Sequence, residues 1–514
     1  MINGHRRSGI LLHLTSLPGP HGSGDLGEGA YHFVDWLESA GQTVWQVLPV
    51  GPPGMANSPY MALSSFAGSP MLVDLLELVR KGWLRSTDLE SLPAFSGRRI
   101  EYHATVSFRE RLLMKAAQNF LDGKGDQSID DFRSFCEAHR AWLDDYAVFQ
   151  VINDLQGKKP WTQWPDGLRT RDSSELASLA EAHRADIEVR KFIQWRFFAQ
   201  WSALRTYARN KGIVMMGDLP IFVAHDSADV WAHQDMYYLD DHGEPTVVAG
   251  VPPDYFSVTG QRWGNPLYRW DRMKKTKYNW WKDRVRACTE LFDLVRIDHF
   301  RGFEAYWEIP ASEKTAVKGR WVKGPGAEFF KTLKRSLKDL PIVAEDLGLI
   351  TPEVIAIRDE FSLPGMKVLQ FAFASGPENG FLPHHHVENA VVYTGTHDND
   401  TSRGWYETAT EHERDFLRRY FQTDASEVHW TLIRGALQSV ARIALIPFQD
   451  VFGLGSEHRM NTPGTTVKNW EWRFTWDMVH PDHAGRLLEM TALSHRCSPS
   501  GVRLVPYPEG RSKP

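Results

Sequence analysis

Residues 292–298 read FDLVRID, and residues 341–345 read PIVAE. Each is a short apolar, partly β-branched run that stops on a carboxylate. Runs without polar alternation are the signature of strands buried on both faces, as in a parallel sheet covered by helices. Six more runs share this character, at 9–14, 43–49, 213–219, 366–371, 391–396 and 442–448. Between most of them apolar residues recur three and four apart, as in 30–39 (AYHFVDWLES), 328–337 and 352–361. The last of these opens on Thr-Pro-Glu, a suitable Ncap and N1 pair. Strand–helix alternation repeated eight times predicts an α/β fold, a (β/α)8 TIM barrel.

The spacing of the runs is uneven. The second and third are separated by roughly 160 residues, where an ordinary crossover needs a few tens. Residues 73–211 are therefore expected to form an inserted, mostly helical subdomain, with amphipathic pieces at 107–120, 130–146 and 186–209. A second insertion, 220–290, contains GVPPDYFSVTGQRWGNPLY at 250–268. That mixture of Pro, Gly and aromatic residues predicts a structured loop, neither helix nor strand. The chain 1–514 reads as a single barrel with these two insertions and no separate C-terminal β domain, and its tail at 506–514 is expected to fray.

Composition narrows the function. The net charge is −5 and no basic stripe with interleaved aromatics occurs, which argues against a nucleic-acid partner. The first apolar run ends at Leu14 with His13 inside it, too short for a signal segment or a membrane span. No later run approaches 18 apolar residues, so no membrane association is expected. The three cysteines, Cys136, Cys288 and Cys497, are widely spaced and suggest neither a disulfide framework nor a zinc site. They fit a reducing, cytoplasmic setting. There are 20 tryptophans, whose flat faces either stack on sugar rings or fill a large core.

Reactive groups of such a barrel gather at the C-terminal ends of its strands. There the sequence places Asp218, Asp298, Glu345, Asp398 and Asp450. A single carboxylate in that position can cap a helix or pair with an arginine. Several on one mouth are costly unless their protonation states differ and are used. Glycosidic cleavage needs such a set: one acid to protonate the leaving oxygen, and one carboxylate to attack the anomeric carbon or activate water. Arg296 precedes Asp298 by two residues, so both face the barrel interior, where the guanidinium either keeps Asp298 ionised or forms a purely structural pair. His299 and His397 flank the carboxylates and can donate to sugar hydroxyls. His384, His385 and His386 are adjacent in a loop and cannot easily face one metal, so they are expected to be a surface feature, and no metal site is predicted.

Three blocks around these residues, VRIDHFRGF (295–303), VAEDLG (343–348) and TGTHDNDTSRGWY (394–406), resemble the catalytic blocks of the 4-α-glucanotransferases called amylomaltases or disproportionating enzymes, within the wider α-amylase clan. The resemblance continues through SGILLHLTSLPGPHGSGDLG, WQVLPVGPPGMANSPYMALSSFAGSP, GDLPIFVAHDSADVW, the 250–268 block and RMNTPGT, in order along essentially the whole chain. By that resemblance Asp298 matches the nucleophile, Glu345 the general acid/base and Asp398 the transition-state carboxylate. Arg296, His299 and His397 match residues that hold the reacting glucose, and Asp218 and Tyr60 match sugar-site positions. Trp263 and Asn265 match acceptor- and donor-side contacts. Asp254 and Tyr255 fall in the loop that family members fold over substrate, and Asn461 and Pro463 in a facing segment. The family implies no metal, nucleotide or other cofactor. It implies malto-oligosaccharides and starch- or glycogen-type α-glucans as partners. The expected reaction moves α-1,4-glucan segments between malto-oligosaccharides through a covalent glycosyl-enzyme. A retaining hydrolase would share its first half, and a non-catalytic glycan-binding protein would share its fold. The cover at 250–266 favours transfer by excluding water, and three retained carboxylates argue against a dead site.

Overall fold

The computed structural model describes residues 5–91, 93–253 and 257–497. Eight parallel strands form the central sheet: Arg7–Leu11, Val44–Gln46, Val214–Pro220, Leu294–Asp298, Ile342–Ala344, Gly365–Val368, Ala390–Tyr393 and Ile443–Pro447. Each lies on one of the eight apolar runs. Their hydrogen-bonded order runs from the sixth strand through the eighth, then the first to the fifth. The gap between fifth and sixth is closed by the Ala344 N–H, which donates to the Pro364 carbonyl at 2.8 Å. The predicted helices are present as Glu28–Ser39, Gly326–Leu337 and Pro352–Glu360.

The barrel floor explains where the carboxylates come to lie. Val44, Met216, Leu294, Val343, Met366, Val391, Tyr393 and Leu445 belong to one buried cluster inside the sheet. Side chains of a strand return to the same face every second residue. Two residues beyond Met216, Leu294 and Val343 stand Asp218, Arg296 and Glu345, so a polar layer sits directly above the apolar one. Gly9 occupies the same level on the first strand, paired with Val44 and Leu445. A Cβ there would lie 2.1 Å from the Val44 carbonyl oxygen, so only glycine lets the two strands approach.

Between the second and third strands lie Leu75–Arg80, Tyr102–Leu121, Ile129–Ala138, Arg140–Leu155, Asp166–Arg169, Ser173–Ala182 and Arg184–Asn210. The expected 130–146 piece is two helices, broken at His139, whose φ of −107° and ψ of 8° leave the helical region. Arg109 on Tyr102–Leu121 is buried and donates to Asp25 at 3.1 Å and to the carbonyls of His21 and Val73. That ties the helical insertion to the loop after the first barrel strand.

One expectation fails. The 250–268 block is not loop throughout: Val247–Val251 and Gln261–Pro266 are strands of a four-stranded antiparallel sheet completed by Ala305–Pro310 and Arg320–Lys323. Of the Pro and Gly residues that suggested a loop, Pro252, Pro253 and Gly260 lie in the connection, whereas Gly250, Gly264 and Pro266 lie within the strands. The strands that complete the sheet come from after the fourth barrel strand, so the pairing that decides the structure is non-local. The other failure is His386. His384 and His385 are exposed as expected, but His386 is buried, bonded to Ser439 Oγ at 2.6 Å and to the Phe381 carbonyl at 2.9 Å.

After the eighth strand come Phe448–Phe452 and, later, Pro481–Leu493, which packs on Glu28–Ser39. No separate β domain follows among the described residues, and 506–514 lie outside them. The tryptophans are mostly core: Trp45, Trp83, Trp161, Trp201, Trp231 and Trp281 are fully buried. Two glycine substitutions test this packing with opposite signs. Gly9→Ala should lower stability by about 1–3 kcal/mol, because the close strand approach must open. Gly485→Ala, inside Pro481–Leu493 where a Cβ meets nothing within 4 Å, should raise it by up to ~1 kcal/mol. Urea-unfolding midpoints measure both.

Candidate active site

Arg296 is the centre of the site. It is 3% exposed, and its Nη1 donates to Asp218 Oδ2 at 2.6 Å and Oδ1 at 2.8 Å. Its Nη2 donates to Asp298 Oδ1 at 2.8 Å. The strand period expected to align Arg296 with Asp298 does so, and the neighbouring third strand supplies Asp218. Burial works against the guanidinium charge, but the two carboxylates outweigh it and push its pKa well above the ordinary value.

Glu345, one strand over, accepts from the backbone N–H of His299 at 2.7 Å and of Leu347 at 2.9 Å. His299 has φ 53° and ψ 48°, a left-handed conformation uncommon for a residue with a Cβ. It turns the chain immediately after Asp298 and helps aim the N–H at Glu345. Strained backbone of this kind persists where surrounding contacts over-determine it; here the His299 carbonyl also accepts from Gly302 at 2.9 Å. Burial, then the Asp298 charge, raises the Glu345 pKa from 4.5 to about 7, although Arg296 and the two N–H groups pull the other way. Burial lowers the His299 pKa to about 4, so its ring is neutral, and its buried Nε2 has no hydrogen-bond partner among the described residues.

The third carboxylate is held differently. Asp398 Oδ1 accepts from the Asn461 amide at 2.6 Å, and its Oδ2 lies 3.3 Å from His397 Nε2. Burial would raise its pKa, but the His397 charge and hydrogen bond and the Asn461 amide hold it far below the usual carboxylate range. Asp398 in turn keeps the buried His397 protonated more readily than an ordinary histidine. The Tyr60 hydroxyl joins the two halves, 2.8 Å from Asp218 and 2.9 Å from His397.

The remaining expected positions sort as follows. Trp263 stands edge-on to His299, with centroids 4.9 Å apart. Asn265 is buried, and its amide donates to the Val223 carbonyl at 2.8 Å. Pro463 lies in an exposed stretch two residues beyond Asn461. Asp254 and Tyr255 lie outside the described residues. Asp450 belongs elsewhere: it accepts from the Ser402 N–H and from the hydroxyls of Ser402 and Thr394, a buried clasp between two strand ends. Sequence reasoning missed Arg459. It donates to the main-chain carbonyls of Asp398 and Asn461, at 3.0 and 3.2 Å, and so clamps the very residues whose side chains meet. It stands directly before the M in the quoted RMNTPGT block, but only three-dimensional contact shows its task. No group of three or more His, Cys, Asp or Glu among the described residues could hold a metal ion.

The chain as a whole matches known proteins over nearly its full length. The model of the 4-alpha-glucanotransferase family, glycoside hydrolase family 77, matches residues 12–478. The chain belongs to this family. It is 49% identical over 499 residues to the 4-alpha-glucanotransferase of Thermus thermophilus, spanning 96% of this chain and 99% of that one. It is 46% identical over 495 residues to the enzyme of the same name from Synechocystis, spanning 96% and 98%. The amylomaltase of Streptococcus agalactiae, solved in complex with acarbose, superposes with a TM-score of 0.93 at 34% identity, covering 96% of this chain and 100% of that one. The (β/α)8 barrel and the glucan-transfer activity of the family therefore hold for this chain.

The like charge of Asp298 is one of two causes that raise Glu345, and its removal has a definite sign. Asp298→Asn should lower the Glu345 pKa below about 7, read from its carboxyl carbon by NMR titration. A Glu345 pKa unchanged or higher in that variant would mean that Asp298 does not act on it. Folded Glu345 binds its proton more tightly than the unfolded chain. Its contribution to stability is therefore full below pH 4.5 and is lost as pH rises through about 7.

Proposed function

We propose that the chain moves α-1,4-glucan segments between malto-oligosaccharides by double displacement, with Asp298 as nucleophile, Glu345 as general acid/base and Asp398 as the carboxylate that steadies the transition state. The observation that carries this reading is the divergence of three neighbouring carboxylates. Asp298 is paired with Arg296, Asp398 is held ionised by His397 and Asn461, and Glu345 retains a proton near neutrality. Retaining glycosyl transfer needs one ionised nucleophile and one protonated acid.

In the first half, Glu345 gives its proton to the glycosidic oxygen while Asp298 Oδ attacks the anomeric carbon; the shortened glucan leaves. In the second, the Glu345 carboxylate takes the proton of an incoming 4-hydroxyl, whose oxygen displaces Asp298. Asp398, ionised, faces the positive charge that develops on the sugar ring. The unpartnered Nε2 of neutral His299, with Tyr60, His397 and Asp218, supplies hydrogen bonds for the glucose in the site. Starch- and glycogen-type α-glucans are the polymeric donors on this reading, and the cytoplasm, where free cysteines persist, is the setting.

Transfer must be favoured over water at about 55 M, which requires that the site exclude water and hold the acceptor. The hairpin of Val247–Val251 and Gln261–Pro266 suits that task. It places Trp263 against His299, and its connection carries Asp254 and Tyr255. The covering loop of the 220–290 insertion is this connection. Asp298→Asn and Glu345→Gln should each lower turnover on maltotriose by on the order of 10³ or more, with fold and glucan binding kept. Trp263→Ala should raise the share of hydrolysis, seen as more new reducing ends and fewer lengthened chains. Equal loss of both activities would confine Trp263 to binding.

A further inference from the structure

Asp398 sits on a turn, residues 396–400, that follows the seventh barrel strand, Ala390–Tyr393. Asn399 Oδ1 closes this turn on itself, accepting from the Thr396 N–H and hydroxyl at 2.8 Å each. Asn461, whose amide donates to Asp398 Oδ1, belongs to a different stretch, 459–471, which has neither helix nor strand. Backbone ladders therefore do not set the position of Asn461 relative to Asp398, and side chains must. Arg459 stands between the two. Its Nη2 donates to the Asp398 carbonyl at 3.0 Å and its Nε to the Asn461 carbonyl at 3.2 Å, while its Nη1 lies 3.7 Å from Asp400 Oδ2. The same Asp400 oxygen accepts from Ser456 Oγ at 2.7 Å, and the Asp400 carbonyl accepts from Gln370 Nε2 at 2.8 Å. Each guanidinium nitrogen thus faces a protein oxygen, which commits the group to the frame and not to a sugar.

We propose that Arg459 is a positioning residue for the reaction: its planar fork sets the spacing between the Asp398 turn and Asn461, and so the direction in which the Asp398 carboxylate faces the reacting sugar. This rests on the assignment of Asp398 as the carboxylate that steadies the transition state. A guanidinium offers its N–H groups in fixed directions, so one side chain can hold two carbonyls at a set distance; a lysine ammonium is a point charge on a flexible stem and cannot. The two carbonyls belong to the residues whose side chains form the 2.6 Å bond, so a shift of either main chain moves the carboxylate. Stabilisation of a developing charge depends on donors and charges already being in place, and a displacement of about 1 Å can cost on the order of 100-fold in rate. Asp400, held by Ser456, faces the third nitrogen of the fork and keeps it from swinging away.

The test is a kinetic cycle on maltotriose, with urea-unfolding midpoints measured alongside. Arg459→Lys should lower kcat by about 10- to 100-fold and leave KM within about twofold of the parent. The same loss should appear with an α-maltotriosyl fluoride donor, whose departure needs no proton, because Glu345 is not the group displaced. In an Asn461→Ala background, Arg459→Lys should cost about threefold or less, since the bond through which it acts is already gone. Full kcat in Arg459→Lys would mean that charge alone suffices and would overturn the proposal. So would an equal loss in both backgrounds, or a raised KM with kcat kept, which would assign Arg459 to sugar binding. Should Arg459→Lys fail to fold, Asp400→Asn decides: a smaller fall in kcat with KM kept supports the clamp, and an unchanged kcat overturns it. Failure of the Asp398 assignment is separate: it would show as full activity in Asp398→Asn, whatever Arg459 does.

Discussion

The site depends on one buried cation bridging two carboxylates. Arg296 reaches Asp218 from the adjacent strand and Asp298 from its own; Arg296 and Asp218 are buried, and Asp298 is partly exposed. Charges about 4 Å apart at an effective dielectric near 20 interact by about 4 kcal/mol, so their number and sign decide what else can ionise nearby. One guanidinium compensates Asp218 and Asp298 only in part. Glu345, the next carboxyl, is buried, and that burial and then the Asp298 charge raise its pKa to about 7. Asp398 escapes the same fate because His397 and Asn461 attend it. On the proposed reading, burial and differences of neighbour make a nucleophile, an acid and a permanent anion from three carboxyls of ordinary intrinsic acidity.

The fold serves this arrangement through strand periodicity. Apolar residues at Met216, Leu294 and Val343 build a floor, and the next inward positions are Asp218, Arg296 and Glu345. The polar layer needs no special local structure until the chain passes Asp298. There His299 turns into the left-handed region, which lets its N–H serve Glu345. The barrel and the strand-end carboxylates were legible because both arise from short-range patterns: unbroken apolar runs, and residues two apart on one strand. The pairing of Arg296 with Asp298 is such a case, and the structure has it.

What the sequence concealed is non-local. The pairing of 247–251 with 305–310 joins segments more than fifty residues apart, and the prolines between 251 and 261 mask the hairpin they connect. Arg459 looks like any loop arginine until its contacts with the Asp398 and Asn461 carbonyls are seen. Asp450 carries the same sequence signal as Asp298, a carboxylate at a strand end, yet three donors from Thr394 and Ser402 make it a clasp. Abundant tryptophan was equally ambiguous, and the structure places most of it in the core. Composition could not separate those rings from Trp263, which meets His299.

The central claim of the proposed mechanism is that Asp298, paired with Arg296, forms the covalent bond. It is tested most directly by mixing Glu345→Gln enzyme with an α-maltotriosyl fluoride, whose leaving group needs no proton donor. Acid quenching, digestion and mass spectrometry then locate the sugar. The account predicts a maltotriosyl ester on the peptide containing Asp298, absent when Asp298→Asn is added. An ester on Asp218 or Asp398, or product of inverted configuration with no covalent adduct, would contradict it.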